Sequence, residues 1–102
     1  MNVAQFHQLV EQTWQEIEEK IDDEGLSVDT EIQGSVCTLT FDDHSQIIIN
    51  KQEAMLELWL ASKLGGFHFK YIDNEWKTAE GRSFWMHLEE AFARHGEEVK
   101  FS

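Results

Sequence analysis

This 102-residue chain has one cysteine, no proline and only eight basic residues. The lone thiol, Cys37, rules out an internal disulfide and any cysteine-cluster zinc site, and it fits a reducing compartment. Eight Lys and Arg against twenty Asp and Glu give a formal net charge of -12. Such a surface repels nucleic acid and anionic lipid, so neither is expected as a partner. No apolar run is long enough to span a membrane. The opening Met1-Asn2-Val3-Ala4-Gln5 lacks the basic region of a signal peptide and the Arg-rich pattern of a transit peptide, so the expected location is cytoplasmic. No Gly-Lys-Ser/Thr follows Gly65-Gly66, which excludes a phosphate loop. Asp22-Asp23-Glu24-Gly25 lacks the alternating ligands and closing Glu of an EF-hand. No Ser/His/Asp or Cys/His triad is indicated by spacing, and nothing reads as an enzyme.

What is present is a core for one domain over residues 1–102. Hydrophobic residues make up 41% of the chain, with four Trp and seven Phe. Val3, Phe6, Val10, Trp14, Ile17 and Ile21 recur at three- and four-residue spacing, which predicts a helix over residues 3–23 ended by Gly25. Period two follows: Leu26, Val28, Thr30 and Ile32, then Cys37, Leu39 and Phe41, then Gln46 to Asn50. Met55 to Ala61 continues it, with Leu56, Leu58 and Leu60 on one face and Glu57 and Trp59 on the other. Gly65-Gly66 is expected to break the chain before Phe67, Phe69 and Tyr71 alternate again, and a short strand surrounds Trp76. A second helix is predicted from about Phe84 to His95, with Ser83 as N-cap and Gly96 as C-cap. Helix, about six short antiparallel strands, helix makes an α+β two-layer sandwich, both helices covering one face of the sheet.

Two features are candidates for function. Glu18, Glu19, Asp22 and Asp23 line one flank of the first helix, and Asp29 and Glu31 point outward from the next strand. Like charges at i,i+4, and acids at a helix C-terminus, both destabilise the helix. The arrangement makes sense if a cation visits, and carboxylates suit hard cations such as Mg²⁺, Ca²⁺, Mn²⁺ and ferric iron. A solvated face that keeps the protein soluble is the alternative, and composition alone leaves both open. The second feature is Trp59, on the face opposite the leucines; an exposed Trp on a bare sheet is a candidate interface anchor, with Asn50 beside it. His87 and Glu90 read as an exposed polar face of the second helix, His95 as half-buried or capping, and Cys37 as an inert core thiol. His7 and His44 are possible metal helpers that no spacing demands.

Taken together, Asn50-Lys51-Gln52, Leu58-Trp59-Leu60-Ala61, Gly65-Gly66-Phe67-His68-Phe69, Trp76, Gly81, Phe84-Trp85 and Leu88-Glu89 resemble the frataxin signature. Phe6-His7, Trp14, Ile17-Glu18-Glu19 and Asp22-Asp23 look like its bacterial branch, CyaY. The match runs over nearly the whole chain in one register. It departs at Ala54, where the family pattern often has proline, and at the short tip Glu24-Gly25-Leu26.

The resemblance implies weak binding of ferrous and ferric iron (Fe2+ and Fe3+), or of other divalent or trivalent cations, through Glu18, Glu19, Asp22, Asp23, Asp29 and Glu31. It implies docking on a cysteine desulfurase and an iron–sulfur scaffold protein, through Glu11, Glu18, Glu19, Asp22 and Asp23 on the ridge and Asn50 and Trp59 on the sheet. It also implies a role in modulating iron–sulfur cluster assembly, as iron sensor or donor, by a monomer that metal can drive into oligomers. The competing reading is an acidic adaptor whose ridge docks a basic protein with metal incidental. A nucleic-acid mimic fits less well, because the charges cluster at one end of one helix.

Overall fold

The computed structural model describes residues 1–101. Helix α1 spans Val3–Asp23 and buries Phe6, Val10, Thr13, Trp14, Ile17 and Ile21 along one stripe. Its start is a capping box. The Asn2 side chain accepts from the Gln5 backbone at 2.8 Å, and the Gln5 side chain accepts from the Asn2 backbone at 3.0 Å. At the other end Gly25 takes φ +62, and Leu26 N–H reaches back to the Ile21 carbonyl at 3.0 Å. A side chain at Gly25 would be strained there, which is why the helix stops at a glycine. Val3, expected on the apolar stripe, is 47% exposed, because the first turn overhangs the core.

Six strands follow as a continuous antiparallel meander in the order β1 to β6: Val28–Gln33, Val36–Phe41, Gln46–Gln52, Glu57–Ser62, Gly65–Ile72 and Glu75–Lys77. Helix α2, Phe84–Arg94, closes the fold. Inward residues of successive strands are buried: Val28, then Cys37, Leu39 and Phe41, then Ile47 and Ile49, then Leu58 and Leu60, then Phe69, then Trp76. These pack against α1 and against Phe84, Leu88, Ala91 and Phe92 of α2. The predicted two-layer α+β sandwich is therefore the observed fold.

The elements differ from the sequence reading in four places. Leu26 lies ahead of β1, and Ile32 is 38% exposed at the open edge of the sheet. Met55 closes a short 3₁₀ turn over Glu53–Met55, and Leu56 caps it in the left-handed conformation, so β4 begins only at Glu57. Gly65 and Gly66 do not break the chain: they pair with Ser62 and Ala61 as the first residues of β5, and the turn is Lys63-Leu64. The tail also packs, with Val99 buried and the Phe101 ring 5.2 Å from Phe92 and 5.3 Å from Trp85.

Two histidines are buried, His87 within α2 and His95 at its C-cap. His95 caps the helix and ties it to two turns. Lys63 N–H donates to Nε2 at 3.2 Å, so Nδ1 carries the proton and donates to Ser45 Oγ at 2.7 Å. Ser45 in turn donates to Asp43, which pairs with Lys63 at 3.0 Å. Bonds from Ser45, then Lys63, hold the Asp43 carboxyl well below the usual carboxylate range. This brings Asp, Ser and His together, but the hydroxyl donates to the carboxylate and not to the imidazole, so no base activates it.

His87, expected on an exposed face, is 0% exposed. The Arg82 guanidinium donates to its Nδ1 at 2.8 Å, and the proton-bearing Nε2 is buried without a hydrogen-bond partner beside the rings of Phe67 and Phe69. Arg82 also holds Glu90, at 2.6 Å. Burial first, then Arg82, pushes the His87 imidazole below its ordinary value of 6.5, with Glu90 opposing; burial and Lys63 do the same to His95, with Asp43 opposing. The unfolded chain therefore takes up these protons first. The stability that the neutral rings contribute is complete above pH 6.5 and declines as pH falls through the lowered folded values. Urea unfolding between about pH 7.5 and 5 should show stability falling. In His87→Leu the fall should be shallower, and an unchanged slope would contradict the assignment.

Candidate functional site

The helix stripe that packs on the sheet fixes where the acids stand. Glu11, Glu18, Glu19, Asp22 and Asp23 are all exposed on α1. Glu18, Glu19 and Asp22 face a groove of about 510 Å³ whose other wall is Thr30 of β1. Glu19 and Asp23, with Glu16 and Lys20, face a second groove on the opposite flank, toward Trp85 and Phe101. The ridge is therefore a crest between two open grooves, and Lys20 is the one cation in its last turn. Asp29 and Glu31 are exposed on β1, but they alternate with Val28 and Thr30 and so point to the far side of the sheet.

The structure brings Glu18, Glu19 and Asp22 side by side and leaves Asp29 and Glu31 apart. Among the described residues no three acidic, histidine or cysteine side chains gather tightly enough to enclose a metal ion. What the crest offers is a set of open carboxylates. His7 stands eleven residues before Glu18, roughly 16 Å along the helix. Both its ring nitrogens are engaged, Nε2 with Glu53 at 2.9 Å and Nδ1 with Lys51 at 3.3 Å. His44 sits exposed in the β2–β3 turn with φ +69. Burial, then the negative Glu18, pushes the Cys37 thiol up to about 12, so no thiolate is available at neutral pH.

The uncovered face of the sheet carries the second surface. Trp59 lies half-buried there, between buried Leu58 and Leu60, with Asn50 and His68 as its cross-strand neighbours. The indole and the His68 ring stack at 4.2 Å with 8° between planes. Sequence reasoning missed what fixes that indole. Glu57, expected in solvent, is only 5% exposed, and its Oε1 accepts from Trp59 Nε1 at 2.7 Å. His68 Nδ1 and Lys70 Nζ each stand 3.7 Å from its carboxylate. The signal was there in part: Glu57 and Trp59 share one strand face at i,i+2. The Lys70 that lies opposite Glu57 is set by strand register.

The family model for the frataxin-like domain matches residues 1–98. The chain belongs to the frataxin family. A frataxin relative from Actinobacillus pleuropneumoniae serotype 5b, named iron-sulfur cluster assembly protein CyaY, is 82% identical over 101 residues, covering 99% of this chain and 100% of that protein. The protein of the same name from Haemophilus influenzae is 56% identical over 101 residues, with the same coverage. Among solved structures, the frataxin of Psychromonas ingrahamii, of the CyaY protein family, superposes with TM-score 0.91 at 38% identity over 100% of this chain and 99% of that one. Yeast frataxin shares the fold, with TM-score 0.68 at 21% identity over 92% and 85%.

In this frataxin fold the outward Trp59 sits outside the core. Trp59→Ala should cost less than about 2 kcal/mol in urea unfolding, whereas Phe69→Ala in the core should cost about 3–5 kcal/mol. Glu57→Ala should shift one indole N–H resonance of the four. Equal costs, or four unmoved indole signals, would contradict this placement.

Proposed function

We propose that this frataxin binds iron weakly on the α1 crest and docks on the cysteine desulfurase and scaffold machinery, modulating iron–sulfur cluster assembly. Iron is cargo or signal here, and the protein acts as regulator or donor, without chemistry of its own. The observation that carries the reading is the exposed run Glu18, Glu19, Asp22 and Asp23, none of them in an ion pair among the described residues. The names of its relatives supply the pathway. Open carboxylates favour hard cations, and an open crest gives low affinity and low selectivity. Asp29 and Glu31 extend the acidic surface around the sheet edge and are proposed as auxiliary ligands. The same crest, with Glu11, is proposed to meet a basic patch on the desulfurase, while Asn50 and Trp59 face the scaffold. A cytoplasmic location fits a chain in which no helix among the described residues is long and apolar enough to cross a membrane.

One observation favours a second reading. The acids do not enclose a site, so the crest is also consistent with an adaptor that docks a basic protein, metal being incidental. An anaerobic NMR titration with ferrous iron separates the two. Broadening confined to residues 18–23 and 29–31 is expected; uniform or absent perturbation would leave docking alone. Neutralising the crest (E18Q, E19Q, D22N, D23N) should also relieve two like-charge i,i+4 pairs and two acids at a helix C-terminus, worth on the order of 1 kcal/mol together. Calorimetry should then record a higher melting temperature, roughly 4–8 °C per kcal/mol regained, alongside weaker iron and desulfurase binding. A lower melting temperature would contradict the frustrated-charge account.

A further inference from the structure

The connection from β6 to α2 is a small closed turn. Thr78 N–H donates to the Arg82 carbonyl at 3.0 Å, Arg82 N–H to Thr78 Oγ1 at 3.0 Å, and Gly81 N–H to the Thr78 carbonyl at 2.9 Å, with Gly81 at φ +89. Lys77 and Ser83 bridge at its base, and Ser83 receives the first amides of α2, Met86 on its hydroxyl and His87 on its carbonyl. The Arg82 side chain reaches out of this turn and ties it to its neighbours. Nε donates to His87 Nδ1 at 2.8 Å, and Nη2 pairs with Glu90 at 2.6 Å. The guanidinium carbon stands 5.9 Å from the centre of the Phe67 ring on β5.

This tie needs a neutral imidazole. His87 Nδ1 can accept from Arg82 only while it carries no proton. A second proton would turn that acceptor into a donor and set two positive charges within hydrogen-bond distance. It would also charge a ring that is 0% exposed, whose Nε2 has no hydrogen-bond partner among the described residues and lies beside the rings of Phe67 and Phe69. The charged groups facing His87 are Arg82 from the connection and Glu90 from its own helix; β5 presents the two phenylalanine rings. The Glu90 side chain is 57% exposed and already held by Arg82, so it compensates weakly.

We infer that Arg82 and His87 form an acid-released latch: protonating His87 undocks Arg82 and lifts the turn of residues 78–83 away from α2 and β5. Phe84 keeps its edge-on packing against Phe69 at 5.2 Å, so α2 and the strands stay in place while water reaches the His87 ring. Closure is complete above pH 6.5 and is lost as pH falls through the lowered folded value of His87. The open form is a local state, distinct from the global loss of stability on acidification. His95 does not serve this latch: its bonds run to Ser45 and Lys63, beyond the other end of the helix.

Amide exchange of the full chain at low urea concentrations, corrected for the intrinsic effect of pH, tests this. The Met86 and His87 amides should exchange about three- to tenfold faster at pH 5.5 than at pH 7.5. That exchange should depend weakly on urea, because little surface is exposed, whereas amides of β2 to β4 should depend on it strongly. In His87→Gln, whose side-chain oxygen can still accept from Arg82 and cannot titrate, the acceleration should disappear. If that variant folds poorly, the parent alone decides: the Arg82 Nε–H signal should be lost with the midpoint of the His87 ring titration. An Arg82 signal that persists through that titration would overturn the latch. So would an unchanged acceleration in His87→Gln, or Met86 and His87 amides with the urea dependence of the strands.

Discussion

Six strands of three to eight residues form a single antiparallel layer, and two helices cover one of its faces. Burial on that face sets almost everything else. It dictates the alternation along β2, β3 and β4, and it fixes which stripe of α1 turns inward. By elimination it fixes which residues are turned out. The acids of α1 have no other place to go, since a buried carboxylate without a partner is far more costly than a crowded surface. The outward residues of the strands likewise meet no second layer, so Trp59 and Ile48 are left at the surface.

The two proposed surfaces differ in how they tolerate this. The crest is electrostatically frustrated and sits in open grooves, so it suits something mobile and charged. The sheet face is organised. Its Trp59 is stacked on His68 and hydrogen-bonded to a carboxylate that is itself nearly buried. Rigid aromatic surface loses little freedom on binding, which suits a protein partner better than an ion.

Much of this was legible in the sequence, because both periods are strong. The six apolar positions of α1, at three- and four-residue spacing, and the two-residue alternation of the strands required no knowledge of tertiary contacts. The resemblance to frataxins supplied the functional frame. What failed did so for local or cross-strand reasons. Leu56 fits a strand pattern, yet its backbone is left-handed at the end of a 3₁₀ turn. Glu57 is buried by Trp59, His68 and Lys70, two of them set by register, and register is not written in any one strand. His87 was misplaced although its spacing carried the signal: three residues after Phe84 and four before Ala91 is the buried stripe of α2. The packing of Val99 and Phe101 has no periodic signature at all.

The central claim is that one-sided packing leaves two separate working surfaces, the α1–β1 crest and the outer faces of β3 to β5, with α2 serving only the core. Hydrogen–deuterium exchange of the full chain, free and bound to the desulfurase and scaffold together, tests this directly. The account predicts added protection over residues 18–31 and over residues 48–70, with residues 84–94 unchanged. Protection concentrated on α2, or confined to a single one of the two surfaces, would contradict it.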